Sequence, residues 1–182
     1  MKNNVLYVLR MALILLVVTG CVALALAGVN AVTKDRIQAA QLEKTQKAIA
    51  QVLEGAAEQV ALSGDMGIVC NAWRSEFGYA VEVAPNGFDG PIRMMVGVDL
   101  EGKVTGIAVI SQTETAGLGA EAAADNAKGQ AFRSQFVGLG AGEAVLAKDG
   151  GTLDGLTGAT ISSRAVAAGV DAAVQFVQKE VA

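Results

Sequence analysis

A glycine-rich segment near the C-terminus places hydroxyl groups directly before a predicted helix. This segment is 154–160 (DGLTGAT), and the helix is predicted to begin at or just after Thr160. The free N–H groups and the positive dipole end of a helix bind anions, and phosphate in particular. The segment alone predicts that a phosphate at Thr160 would need no lysine. An ordinary helix N-cap at Thr160, with Ser163 three residues later, explains the same residues equally well.

The composition excludes most other ways in which this chain could do chemistry. The chain contains no histidine, which excludes Ser–His–Asp and Cys–His catalysis, histidine-ligated zinc and ordinary haem ligation. Cys21 and Cys70 are far apart in the sequence and form neither a CxxC pair nor the ligand set of an iron–sulfur cluster. We therefore expect no catalytic residue and no metal site, and a redox function would require an organic cofactor.

The length and charge of the chain limit its organisation and its partners. With 182 residues, the chain has room for one domain and an anchor. A formal net charge of −4 and a pI near 4.8 leave no basic patch to neutralise phosphates, which excludes nucleic acid as a partner.

An uncharged stretch close to the N-terminus is long enough to cross a lipid bilayer. Residues 11–33 carry no charge and as a helix would span roughly 34 Å, against about 30 Å for a hydrocarbon core. A cleaved signal peptide, with Ala25-Leu26-Ala27 as its cleavage site, and a lipoprotein signal ending at Cys21 are the alternatives. Both require a shorter apolar run than the one present. We therefore predict a transmembrane anchor over residues 1–33, with the helix at about 11–33.

The charges that flank this stretch bear on its orientation. Lys2 and Arg10 precede it, whereas Lys34 and Arg36 follow it with Asp35 between them. The positive-inside rule then favours a cytoplasmic N-terminus. We predict a single-pass protein of the cell (inner) membrane, with residues 34–182 outside the cytoplasm.

Hydrophobic periodicity divides the rest of the chain into a stalk and a domain. Apolar residues recur at helical spacing beyond the anchor and predict a helical stalk over 34–64. Alternating or β-branched runs predict strands at 78–84, 92–98 and 104–110, with turns at 85–91 and 99–103. A helix is predicted for 121–136, and a short strand at Val145 and Leu146.

The last helix has the clearest pattern, because two apolar stripes run along it. One stripe contains Ile161, Ala165, Ala168, Ala172 and Phe176, and the other contains Val166, Val170, Val174, Val177 and Val181. Two stripes indicate burial over much of the circumference. We also expect Gly169 to allow close approach of another backbone. The fold class is therefore α+β, with helices packed on a small antiparallel sheet in a domain over 65–182.

Three segments resemble motifs of the FMN-binding domain family. Residues 154–160 resemble its flavin attachment motif, in which the final threonine carries FMN as a phosphoester. Residues 111–119 (SQTETAGLG) resemble the (S/N)HxETPGLG loop, and residues 132–138 (FRSQFVG) resemble a W-x-x-QF-x-G segment. Gln112 stands in place of the usual histidine and cannot titrate, and Ala116 stands in place of proline. With the N-terminal span, the resemblance covers essentially the whole chain.

The resemblance implies a role for each matched residue. Thr160 is implied to carry FMN covalently. The residues that a separate flavin transferase reads are implied to be Asp154, Thr157, Gly158 and Ala159, of which the last three also contact the cofactor. The loop that approaches the flavin is implied to contain Glu114, Thr115, Gly117, Leu118 and Gly119, and a glycine hinge is the alternative for this loop. We expect Trp73 and Tyr79 in the core rather than against the flavin.

The same resemblance implies an electron carrier rather than a catalyst acting alone. Its partners are then the lipid bilayer, a flavin transferase for maturation and other subunits of a membrane electron-transport complex. Such a complex couples electron transfer between ferredoxin and NAD to translocation of Na⁺ or H⁺. Two alternatives remain open. One is a stand-alone extracytoplasmic flavoprotein reductase, and the other is a non-redox, membrane-tethered binding protein, which would lack a flavin absorption band.

Overall fold

The computed structural model of the protein describes residues 2–62 and 67–181. The chain divides into two compact units, one up to Glu43 and one from Lys44 onward. The described residues of the first unit belong to α1, whose bounds are Lys2–Val52. The side chains from Tyr7 to Val32 are exposed and mostly apolar. By length and composition, this helix can cross a membrane, as predicted for 11–33.

The second unit contains a five-stranded antiparallel sheet whose strands lie in chain order. The strands are β1 (Glu58–Val60), β2 (Val69–Arg74), β3 (Gly78–Val83), β4 (Arg93–Asp99) and β5 (Val104–Ser111). The predicted strands at 78–84, 92–98 and 104–110 correspond to β3, β4 and β5, which confirms the antiparallel α+β class. The sequence did not predict β1 and β2, because they are short or carry polar residues on both faces.

The helix predicted over 34–64 is observed only as far as Val52. The chain turns at Gly55, which has a φ of 84°, and then enters β1. The predicted boundary between residues 64 and 65 lies outside the described residues.

The described residues of this unit also form two further α-helices and two 3₁₀ helices. The α-helices are α2 (Ala127–Ser134) and α3 (Thr160–Val181), and the 3₁₀ helices are Gly119–Ala123 and Ala147–Asp149. The prediction of one helix over 121–136 was wrong, because Asn126 caps a new helix by accepting the Gly129 N–H at 2.8 Å. The strand predicted at Val145 and Leu146 is only an isolated bridge between Leu146 and Leu153.

Helix α3 packs on one face of the sheet and the end of α1 packs on the other. The predicted valine stripe is buried at Val166, Val170, Val174 and Val177. It lies in the core that also contains Val81, Val83, Met94, Val96 and Val98. The other stripe is only partly correct, because Ile161 and Ala168 are exposed. Gly169 allows a close approach, as predicted, but by side chains rather than by another backbone. A Cβ at Gly169 would lie 3.0 Å from Pro85 Cγ and 3.1 Å from Val83 Cγ2.

The opposite face of the sheet receives the last turns of α1. Ala48, Val52 and Leu53 cluster there with Ala80, Met95 and Ala108. The Thr105 hydroxyl donates to the Val52 carbonyl at 2.7 Å, which satisfies one of the free carbonyls at the end of a helix. Strand β3 is therefore buried on both faces.

Candidate functional site

A cavity of about 370 Å³ lies at the N-terminal end of α3. Four parts of the chain line it: the turn that contains Phe88, the loop 114–119, Lys148 and the residues 158–162. Seven of the predicted site residues are among the lining, namely Glu114, Thr115, Leu118, Gly119, Gly158, Ala159 and Thr160. The structure thus brings the two predicted motifs together around one cavity of a size typical of small-molecule pockets, about 300–1,000 Å³.

Thr160 is the first residue of α3, and a tight turn leads into it. The Ala159 N–H donates to the Leu156 carbonyl at 3.0 Å, and Gly158 within this turn has a φ of 75°. A side chain is strained in that left-handed conformation, and a Cβ at Gly158 would also lie 3.0 Å from Leu118 Cδ2. Glycine at this position therefore allows both the turn and its contact with the loop 114–119.

The turn before α3 is fixed from inside the helix by Ser163. Its hydroxyl oxygen accepts the Leu156 N–H at 2.9 Å and its O–H donates to the Ala159 carbonyl at 2.9 Å. Ser163 is fully buried, so these are its available partners. The backbone that presents Thr160 is consequently held by a side chain one turn away.

A lysine stands beside the predicted attachment residue. Lys148 Nζ donates to Thr160 Oγ1 at 3.1 Å. The sequence alone predicts no lysine at this position, and the structure places one there. Little in the sequence pointed to Lys148, because it is one lysine in a segment that carries no recognisable pattern.

An ion pair lies next to this lysine. Arg164 Nε donates to Asp149 Oδ2 at 2.8 Å, and Arg164 Nη2 donates to Asp149 Oδ1 at 2.5 Å. These hydrogen bonds hold the pKa of Asp149 below its ordinary value of 3.8. Because Arg164 belongs to the first turns of α3, the pair joins the 3₁₀ helix Ala147–Asp149 to the start of α3.

Glu114 is buried in the wall of the cavity, with 7% of its surface exposed. The Ser162 hydroxyl donates to its Oε2, and the Asp89 N–H donates to its Oε1 at 3.0 Å. A Cβ at Gly87 or Gly119 would collide with this carboxylate. Glu114 therefore ties three lining segments together, and both of its carboxylate oxygens already have donors from the protein. Ser162 was not predicted as a site residue.

Three apolar side chains stand exposed among the lining residues. Phe88, Leu118 and Ile161 are 68%, 41% and 50% exposed, respectively. Only Leu118 was predicted. The sole signal for Phe88 was an aromatic residue inside a glycine-rich turn, where packing does not require one. As expected, Tyr79 is in the core, and Trp73 is half-buried against the cluster at the end of α1.

The remaining predicted residues lie outside the cavity lining. Thr157, Asp154 and Gly117 are exposed. The Asp154 backbone forms a reciprocal pair with the Gln135 side-chain amide: the Asp154 N–H donates to Gln135 Oε1 at 2.8 Å, and Gln135 Nε2 donates to the Asp154 carbonyl at 3.2 Å. The segment 132–138 thus supports the attachment segment from behind.

Comparison with known proteins identifies both parts of the chain. Residues 87–175 match the family model of the FMN-binding domain, and residues 1–52 match that of the RnfG N-terminal region. The G subunit of the Na⁺-translocating ferredoxin:NAD⁺ oxidoreductase complex from Acetobacterium woodii is 30% identical, over 94% of this chain and 92% of that protein. The G subunit of the ion-translocating oxidoreductase complex from Methanosarcina acetivorans is 30% identical, over 92% of this chain and 94% of that protein. The chain belongs to this family of G subunits.

A further relative within this family differs in the ion that its name specifies. The G subunit of the proton-translocating ferredoxin:NAD⁺ oxidoreductase complex from Clostridium ljungdahlii is 38% identical, over 54% of this chain and 52% of that protein. Among solved structures, the C subunit of the Na⁺-translocating NADH-quinone reductase from Parabacteroides distasonis has a TM-score of 0.48 and 19% identity, over 74% of this chain and 83% of that one.

The residues around the cavity fit the two chemical parts of FMN. At one side, the Lys148 ammonium donates to the hydroxyl of Thr160, the first residue of α3. The first N–H groups of a helix have no partners within it, and together with an ammonium group they are donors suited to a phosphate. At the other, Phe88, Leu118 and Ile161 supply exposed apolar surface suited to a flat aromatic ring. The matched region 87–175 contains every one of these residues.

Proposed function

We propose that this chain is the electron-transfer subunit of a membrane oxidoreductase complex and carries FMN joined through its phosphate to Thr160 Oγ1. The observation that carries the proposal is the position of the Thr160 hydroxyl. It lies at the start of α3, in the lining of the cavity, with the Lys148 ammonium 3.1 Å away. A bound flavin accepts and releases one or two electrons. The chain contains no histidine, and its described residues form no cluster of metal ligands, so an electron-transfer role would rely on such a cofactor.

Different residues of the cavity bind different parts of the cofactor. The first N–H groups of α3, together with Lys148, bind the phosphate, and Phe88, Leu118 and Ile161 pack against the ring. Thr115, Gly119, Gly158 and Ala159 form backbone walls beside the cofactor. Glu114 holds these walls together through Ser162 and Asp89 rather than contacting the flavin as a free carboxylate, because its oxygens are already hydrogen-bonded.

We further propose that a separate flavin transferase recognises Asp154 and Thr157. Both side chains are exposed, which leaves them accessible to another protein. The Gln135 amide fixes the Asp154 backbone, so that the recognised segment has a defined conformation.

The partners and the coupling are proposed from the family. The relatives in Acetobacterium woodii and Clostridium ljungdahlii are named as subunits of complexes that translocate Na⁺ and protons, respectively. We infer that this chain works with other subunits of such a complex and couples ferredoxin/NAD electron transfer to movement of Na⁺ or H⁺. Covalent attachment suits a domain outside the cytoplasm, where lost FMN could not be replaced.

The attachment is tested by Thr160→Val in cells that contain the flavin transferase. We expect the flavin fluorescence of the full-length chain to disappear from a denaturing gel, because valine keeps the shape of threonine but has no hydroxyl. Thr152→Val is the matched control, since Thr152 is exposed in the same segment and does not line the cavity. The control should keep its fluorescence, and fluorescence that persists in Thr160→Val as well would move the attachment to another residue.

The same purified wild-type chain separates a carrier from a stand-alone reductase. We expect dithionite to bleach its flavin and NADH to leave it oxidised, because the two ionisable side chains among the described residues of the cavity lining, Glu114 and Lys148, are already engaged in hydrogen bonds. NADH oxidation by the isolated chain at about 1 s⁻¹ or faster, as for an ordinary enzyme, would instead favour the reductase.

The proposed topology puts the N-terminus in the cytoplasm and residues 34–182 outside it. We expect a membrane-impermeant thiol reagent to label Asn86→Cys in intact cells, because Asn86 is exposed. The background chain needs Cys70→Ser, since Cys70 is also exposed. Labelling that appears only after the membrane is opened would show the opposite orientation, with this domain in the cytoplasm.

A further inference from the structure

The position of Lys148 is determined by its backbone as well as by its side chain. It lies in the 3₁₀ helix Ala147–Asp149, between the buried Leu146 and Gly150, which has a φ of 91°. The Ala147 N–H donates to the Leu153 carbonyl at 2.8 Å, and the Asp149 N–H donates to the Leu146 carbonyl at 2.8 Å. The short helix is thus tied on one side to the segment that leads into the attachment motif.

On its other side, the same short helix is tied to α3. Thr160 and Arg164 are four residues apart and therefore lie on the same face of α3, one turn from each other. Their partners are adjacent residues: Lys148 contacts Thr160, and Asp149 contacts Arg164. These two parallel contacts define both the distance and the direction from which Lys148 reaches the hydroxyl.

The charges in this region leave Lys148 facing the hydroxyl. The Asp149 carboxylate receives two hydrogen bonds from Arg164, and Lys148 acts on it through its charge alone. Lys148 is also the only cationic side chain among the described residues that line the cavity. Glu114, the acidic residue of that lining, is engaged with Ser162 and Asp89.

We propose that Lys148 is the positioning residue of the attachment site: it orients the Thr160 hydroxyl before the flavin is attached and pairs with the phosphate afterwards. The transferase supplies FMN in an activated form, as a phosphoanhydride. The Thr160 oxygen forms the new P–O bond as the anhydride P–O bond breaks, the other phosphate-containing fragment leaves, and the hydroxyl proton goes to solvent. This inference rests on the proposed function. An ammonium group is a donor in both states, to a neutral hydroxyl oxygen first and to an anionic phosphate oxygen later. The second contact is a charge-assisted hydrogen bond and is the stronger of the two.

The test measures how fast the full-length chain acquires flavin in the presence of the transferase, by in-gel fluorescence and intact mass. We expect Lys148→Met to reduce the initial rate by about tenfold or more, as for the loss of one hydrogen bond to a charged group. Lys148→Arg keeps the charge and should recover most of the rate. Lys128→Met is the matched control, because Lys128 is exposed on α2 and outside the cavity lining, and it should keep the wild-type rate.

A second readout reports on the attached phosphate itself. We expect the ³¹P resonance of the folded, flavinylated chain to differ between wild type and Lys148→Met, and to be unchanged in Lys128→Met. A simple loss of structure would lower the melting temperature and slow Lys148→Arg as much as Lys148→Met.

The outcomes separate this inference from the proposed function. Wild-type rate and an unchanged ³¹P resonance in Lys148→Met would overturn the role of Lys148. An equal loss of rate in Lys148→Arg and Lys148→Met would also overturn it, because the charge would then be irrelevant. Fluorescence retained in Thr160→Val would contradict the proposed function, whatever the lysine variants show.

Discussion

Two buried glutamates lie in different regions of the molecule and are stabilised in different ways. Glu82 lies on β3 and is 1% exposed, and Glu114 lies in the cavity wall and is 7% exposed. Arg93 from β4 donates to Glu82 Oε1 through Nε at 3.1 Å, and Asn71 from β2 donates to Oε2 at 2.8 Å. Among the described residues, the donors to the Glu114 carboxylate are both neutral, namely the Ser162 hydroxyl and the Asp89 N–H.

The difference reflects what surrounds each carboxylate. Within the sheet, Glu82 is enclosed by neighbouring strands, and a cation is needed to offset the loss of its hydration. Glu114 borders a cavity, where solvent can approach, and the loss of its hydration is therefore less complete. Glu82 therefore joins strands of the sheet, whereas Glu114 joins loops in the wall of the cavity.

Among substitutions in the two regions, Arg93→Met should cause the largest loss of stability. This change leaves Glu82 buried without its cation, and we expect it to lower the free energy of unfolding by about 2 kcal/mol. Removal of one partner of a fully buried pair costs about 3–5 kcal/mol, and the smaller figure allows for Arg93, whose side chain is 39% exposed. Urea denaturation of the full-length chain in detergent measures this change in the free energy of unfolding. Flavin attachment should be unaffected.

A double variant tests the cause of that loss. Glu82→Gln combined with Arg93→Met should recover part of the stability, because the glutamine carries no charge that needs the arginine. If the double variant is as unstable as the sum of the two single variants, the comparison fails, and packing rather than charge explains the effect of Arg93.

A smaller effect is expected on the cavity side, from Ser162→Ala. The change removes the donor to Glu114 Oε2, and we expect a loss of about 1 kcal/mol, as for an ordinary hydrogen bond, because water in the cavity can replace the hydroxyl. Glu114→Gln should cost less, since its donors are neutral, and Ser134→Ala on the exposed face of α2 is the matched serine control. A loss for Ser162→Ala as large as that for Arg93→Met would show that Glu114 is as enclosed as Glu82.

The predictability of the fold followed the strength of the local pattern. Strands β3, β4 and β5 and helix α3 combine long apolar runs with clear turn residues, and they were predicted within a few residues. The helix over 121–136 was predicted as continuous because Asn126 stands inside a helical pattern, where its capping role is visible only once Gly129 is near its side chain. Strands β1 and β2 were not predicted, because they are stabilised by pairing with neighbouring strands rather than by a high β-propensity of their own residues.

The sequence by itself determined the features that reside in contiguous residues. These are the apolar stretch 11–33, the hydroxyl of Thr160 at the start of a helix, and the two glycine-containing motifs that resemble those of the FMN-binding domain family. Each depends on neighbours along the chain, because helix dipoles, turns and hydrophobic periodicity are local properties.

Only the tertiary structure decided which side chains meet these motifs. Lys148 reaches Thr160 across 12 positions of sequence, and Ser162 reaches Glu114 across 48. Phe88 joins the same cavity from a turn between two strands. No local pattern encodes such contacts, because they form only when the sheet and α3 pack together and bring distant loops to the same end of the helix.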